Sequence, residues 1–128
     1  MDRSEDWLKQ GKTDLKAANH LLQMGDFSWS CFLAQQTAEK CIKALGERKN
    51  IVLWGHDLVD LFEELKKKVN IPDQIINTCK TLNLYYISTR DPDAFPSGYP
   101  SEKFSKQQAQ EAIKLANEVL EYVQNEIS

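Results

Sequence analysis

No stretch of this chain approaches the ~18 consecutive apolar residues of a membrane-spanning helix, and the opening MDRSEDWLKQ has no apolar core of the kind a signal peptide carries. A cytoplasmic protein is expected. Cysteine is scarce. Cys31, Cys41 and Cys79 form no CxxC pair, and an odd number in so short a chain fits no disulfide framework, so they read as buried thiols of a reducing compartment. Nor is positive charge in excess. Sixteen Lys and Arg against nineteen Asp and Glu leave a net charge of −3, which excludes a broad basic surface tracking along nucleic acid by counterion release. Any RNA contact has to be local.

Further absences narrow the chemistry. There are two histidines, His20 and His56, without a third ligand at useful spacing, so no zinc site is expected. Nothing around a serine or cysteine resembles a nucleophile elbow. Alternation of period two is confined to NIVLW (50–54), too short and isolated to build a sheet. With no internal repeat, linker or low-complexity tract, the 128 residues are expected to form one domain, large enough to bury a core unaided by metal or disulfide.

What is present is helical periodicity. Trp7, Leu8, Gly11, Leu15, Ala18, Leu21 and Leu22 recur at three- and four-residue steps, with Gly25 as a stop. From Phe27 the run FSWSCFLAQQTAEKCIKAL is apolar almost all round before narrowing to Ala34, Ala38, Cys41 and Leu45, which places that helix in the middle; Gly46 and ERKN are read as its end. A shorter amphipathic helix follows through Leu58, Leu61, Phe62, Leu65 and Val69. Pro72 suits the first turn of another, whose inward stripe is Ile75, Ile76, Cys79, Leu82 and Tyr86. Ser105 with Gln108 opens the last helix as a capping box, with apolar residues from Ala112 to Val123. The fold class is all-α: an up-and-down four-helix bundle with one additional short helix and a long ordered loop before the last helix.

That loop, 88–104, runs about 17 residues, long for a compact bundle. Three prolines stiffen it, and Phe95, Tyr99 and Phe104 are expected to pack it back as a strap. The competing reading, which spacing alone favours, is a connector with a local aromatic cluster. Arg90 opens it, just after Tyr85 and Tyr86. A guanidinium fork beside aromatic faces suits phosphate and a stacked base; the competing reading is a surface salt bridge to Asp91 or Asp93. Lys40 and Lys43 share a helix face with Gln36 and are candidate anion contacts, set against an ordinary solvated face that Glu39 nearby suggests. Lys66, Lys67 and Lys68 suit a helix C-terminus. His56, before Asp57 at a helix start, has the position of a capping residue.

QQTAEKCIKAL (35–45), GHDLVDL (55–61) and STRDPDAFP (88–96) leading into FSKQQAQEAI (104–113) together resemble the HEPN domain, over nearly the whole chain. The resemblance implies a four-helix bundle, a homodimer, and a place beside a minimal nucleotidyltransferase as a toxin–antitoxin pair, with no cofactor and no metal. It also implies nucleotide or RNA binding, with Tyr85 or Tyr86 stacking beside Arg90, and Lys40, Lys43 and His56 as further contacts. Active members are metal-independent RNases in which four to six residues separate an arginine from a histidine that is followed, two beyond, by a tyrosine. Arg90 matches the arginine. Phe95, Pro96 and Ser97 occupy the allowed histidine positions, and Tyr99 then falls at the tyrosine, which a nucleotidyltransferase partner adenylylates in toxin pairs of this kind. General acid–base catalysis contributes about 10²–10⁴-fold, and a serine hydroxyl does not supply it at neutral pH, so a degraded RNase motif is expected. The alternatives carried forward are a protein-interaction module and an RNase toxin whose imidazole comes from His56, His20 or a partner chain.

Overall fold

The computed structural model describes all 128 residues. It is all-α, with helices α1 (Ser4–Met24), α2 (Phe27–Arg48), α3 (Leu58–Leu65), α4 (Asp73–Asn83), the single turns α5 (Tyr85–Ser88) and α6 (Pro100–Lys103), and α7 (Lys106–Ile127). The four long helices form the bundle. α2 runs through its middle, packed on α1, α7, α4 and α3, while α7 also touches α1 and α4. Its apolar periphery explains this position: Cys31, Ala34, Ala38, Cys41, Ile42, Ala44 and Leu45 are all fully buried. No helix is long and apolar enough to cross a membrane.

The ends follow local chemistry. Gly25 takes φ 83°, a left-handed conformation that costs an L side chain energy, and the N–H groups of Gly25 and Asp26 donate to the carbonyls of Leu22 and Leu21. Two residues therefore suffice to turn α1 into α2. At α7 the capping box forms as expected: Ser105 accepts from the Gln108 N–H, and the Gln108 side chain accepts from the Ser105 N–H.

Some boundaries fall as read and others differ. α2 ends at Arg48, inside the ERKN stretch as expected, so Gly46 is not its last residue. Gly46 is instead a notch, since a Cβ there would lie 2.7 Å from Leu53 Cδ1 and 3.0 Å from the Ile51 carbonyl oxygen. α3 ends at Leu65, short of Val69, and α4 ends at Asn83, so Tyr86 belongs to a separate turn rather than to the stripe of α4. Pro72 precedes the first turn of α4 as its N-cap. The N-cap of α3 is Asp57, whose carboxylate accepts from the Val59 and Asp60 N–H groups, which leaves His56 free of that task.

The segment 88–104 is folded into a 3-10 turn (Pro92–Ala94) and the turn α6. Phe104 joins it to the body of the protein, edge-on to Tyr85 at 5.9 Å and to Phe95 at 6.4 Å between ring centroids. Tyr99 departs from expectation: it is 56% exposed, at the N-cap of α6, where the buried residue is Pro100.

Candidate functional site

α2 carries a polar stripe, Gln35, Gln36, Glu39 and Lys43, which stands at helical spacing with Phe32 one turn earlier and meets the turns that hold His56 and Tyr86. Glu39 is only 2% exposed, and a carboxylate taken out of water needs partners for both oxygens. It has them: Lys43 Nζ at 3.3 Å, Gln36 Nε2 at 3.4 Å, and His56 Nδ1 at 3.1 Å from each oxygen. A carboxylate only accepts, so the Nδ1–H of His56 donates and its Nε2 is left facing outward. Gln35 Nε2 donates to the His56 carbonyl at 3.4 Å, holding the backbone as well. Asn83 closes the frame from α4, accepting from the Leu58 N–H at 2.8 Å and donating to Asp57 at 3.2 Å.

The imidazole lies flat on Tyr86, with centroids 5.1 Å apart and planes 14° from parallel. The same tyrosine holds Arg90. The ζ carbon of Arg90 is 4.7 Å from the Tyr86 ring centroid and 4.3 Å from that of Phe32, while Nε and Nη2 donate to the Tyr86 carbonyl oxygen at 3.0 and 2.6 Å. Two rings and a carbonyl thus fix a guanidinium that is exposed to solvent. No carboxylate neutralises it. Asp91, which the competing reading made a salt-bridge partner along with Asp93, instead accepts from the Asp93 N–H and caps the 3-10 turn. Beside this cluster His56, Asp57, Asn83, Leu84, Tyr86 and Ile87 line an open concavity of about 480 Å³.

The structure therefore brings together Arg90, Tyr86 and His56 but not every candidate. Tyr85 turns the other way, against Phe104, where burial raises the pKa of its hydroxyl, followed in effect by Cys31 and Glu111. Lys40 reaches back to α1, 3.0 Å from Asp14, and also donates to Gln36. Lys43 serves Glu39 and sits 5.4 Å from the Trp7 ring centroid. Neither lysine lines the concavity, and neither is a plain solvated charge. Ser97 and Tyr99 lie exposed on the loop, and His20 is exposed on α1 without a hydrogen bond.

Sequence reasoning misses Phe32 and Glu39. Their signal is the spacing of Phe32, Gln35, Gln36, Glu39 and Lys43 along a helix otherwise apolar nearly all round. A glutamate on such a helix has little water to face.

The model of the HEPN domain matches residues 4–126. The chain belongs to the HEPN family. Among solved structures, TT1696 of Thermus thermophilus is 39% identical with a TM-score of 0.93, covering 98% of each chain. An archaeal HEPN homologue, ST0689, is 34% identical with a TM-score of 0.84 over the full length of both chains. A candidate toxin of Methanocaldococcus jannaschii, MJ1304, is 25% identical over 93% of this chain and 84% of its own length. In this HEPN protein the stretch from Arg90 to Tyr99 contains no imidazole, and the one that shares a tyrosine with Arg90 comes from the connection before α3.

Proposed function

We propose that this HEPN protein binds a nucleotide, another phosphate-bearing ligand or RNA beside the concavity at the end of α4, and acts in a two-component system with a minimal nucleotidyltransferase. The observation that carries the reading is the Arg90 guanidinium, held between Phe32 and Tyr86 and paired with no carboxylate. Its remaining N–H groups suit phosphate oxygens, and the ring edges and faces around it suit a base. The resemblance to a candidate toxin supports the toxin–antitoxin setting. Tyr99, exposed at a Gly-Tyr-Pro turn, is the residue proposed for modification by such a partner.

Equilibrium titrations with AMP, ATP and a short single-stranded RNA test this. Wild type binds at least one of them, and Arg90→Ala loses about tenfold or more, the equivalent of ~1.4 kcal/mol. Arg90→Lys recovers little of it, because an ammonium lacks the planar fork. No binding by wild type, or equal binding by Arg90→Ala, rejects the reading.

One geometry favours a second reading, metal-independent RNA cleavage. His56 is oriented by Glu39 with Nε2 outward, the arrangement that a proton-transferring imidazole requires. Labelled RNA incubated in chelator decides it: cleavage that survives His56→Ala excludes His56 from that role. The exposed Trp29, Leu84 and Ile87 favour a third element of the proposal, a homodimer whose face adjoins Arg90. Light scattering of Leu84→Asp, expected to be monomeric, checks it.

A further inference from the structure

The connection between α2 and α3 displays an apolar ridge that no part of the chain covers. Burial alternates along it as on an extended chain: Ile51 half-buried, Val52 out, Leu53 buried, Trp54 out. Leu53 is seated against the bare backbone of Gly46, and the Ile51 N–H donates to the Gly46 carbonyl at 2.8 Å, so the segment is anchored at alternate positions. The outward residues are large. Trp54 is 84% and Val52 70% exposed, a tryptophan and a branched aliphatic with no intramolecular partner.

The backbone of this ridge is also unspent. The N–H groups of Val52, Leu53, Trp54 and Gly55 donate to no carbonyl or side chain of the protein, although neighbouring segments are closely bonded. An extended segment with free N–H and C=O groups is a template for a further strand. Two hollows flank Trp54. One, of about 170 Å³, lies toward Trp7 and Lys43; the other, of about 430 Å³, lies toward Asp60, Glu63 and Glu64 on α3. Glu63 and Glu64 pair only with the exposed Lys66 and Lys67, contacts worth little at a surface, and Asp60 has no ion-pair partner. The larger hollow is therefore acidic.

We propose that the Val52–Trp54 ridge docks an extended, basic segment of a partner protein, added as a strand along the free backbone, with apolar side chains against Val52 and Trp54 and lysine or arginine facing Asp60, Glu63 and Glu64. A second copy of the chain fits this surface less well. Two-fold pairing of the ridge on itself brings two sets of the same three carboxylates together, and like charges at close quarters oppose association. The ridge is formed by the connection before α3, and its occupancy does not depend on what Arg90 binds.

The test uses the intact protein and labelled heptapeptides that alternate lysine with valine, leucine or phenylalanine. Fluorescence anisotropy is expected to show saturable binding of at least one. Trp54→Ala, a change at an exposed side chain checked by its melting temperature, weakens it about tenfold, ~1.4 kcal/mol. The triple variant Asp60→Asn, Glu63→Gln, Glu64→Gln weakens it by a similar factor and flattens its salt dependence. A peptide N-methylated on the bonding edge, which removes backbone donors but keeps every side chain, binds at least about tenfold more weakly. The proposal is overturned by any of three results: no basic peptide binds, the methylated peptide binds as well as its parent, or wild type is an oligomer that Trp54→Ala converts to monomer.

Discussion

Glu39 shows how a single residue can be misread when only its neighbours in sequence are visible. Beside two lysines it looks like ordinary surface charge mixing; in the fold it is the buried acceptor around which Lys43, Gln36 and His56 are arranged. Removing it strands the Lys43 ammonium, whose side chain is nearly as buried, so Glu39→Ala is expected to lower unfolding free energy by about 3 kcal/mol in urea titrations. Glu39→Gln, which keeps the volume and one acceptor, is expected to cost less. The three cysteines are legible in the opposite sense, since scarcity and odd number already point to buried thiols. Desolvation pushes Cys31 and Cys41 up to about 12 and Cys79 higher. An unfolded chain releases these protons from about pH 8.5, whereas the folded one keeps them. Above that pH the unfolded state binds fewer protons, so stability falls as pH rises, by about 1.4 kcal/mol per pH unit for each thiol. Urea midpoints between pH 8 and 11 check the decline, and Cys79→Ala is expected to reduce its slope by about a third.

At the level of elements, periodicity identifies the long helices and capping chemistry identifies the start of α7. Both signals are local; periodicity holds for α1, α2 and α7, whereas neither Arg3 before α1 nor Asp26 before α2 makes a side-chain cap. Ser105→Ala, which removes one half of the capping box, is expected to cost about 1 kcal/mol, measurable by thermal unfolding. Glycine is ambiguous at this scale. Gly25 ends a helix because its backbone turns left-handed, while Gly46 lies inside one because Leu53 and the Ile51 carbonyl press against it. Alanine in a helix interior ordinarily gains about 1 kcal/mol over glycine. At position 46 that gain is outweighed by displacing Leu53 and the Ile51 backbone, so Gly46→Ala is expected to destabilise by about 1–2 kcal/mol and to loosen the Val52–Trp54 ridge, as hydrogen exchange of those amides would register.

Across the whole molecule, contacts distant in sequence assemble both the site and the ends of the bundle. Arg48 donates to the Ile127 carbonyl oxygen at 2.6 Å, to Asp2 at 3.0 Å and to Ser4, so the end of α2 ties down the start of α1 and the end of α7. Arg48→Ala is expected to cost about 1–2 kcal/mol and to speed amide exchange in the first turn of α1 and the last of α7, leaving the middle of α2 protected. The same kind of assembly joins Phe32 of α2, His56 of a connection, and Tyr86 with Arg90 near a chain reversal into one cluster.

The amino-acid sequence by itself determined that the protein is all-α, which helix is central, how α7 begins, that the cysteines are buried thiols and that Arg90 with an adjacent tyrosine is the group to examine. These are properties of spacing and residue type, and hydrophobic periodicity and local hydrogen bonding act over a few residues. Only the tertiary structure decided that Tyr86 rather than Tyr85 faces Arg90, that His56 answers to Glu39 instead of capping a helix, and that Lys40 and Lys43 serve buried acids. Those outcomes depend on which faces of separate helices meet when the core closes, and a one-residue difference along a helix turns a side chain by about 100°.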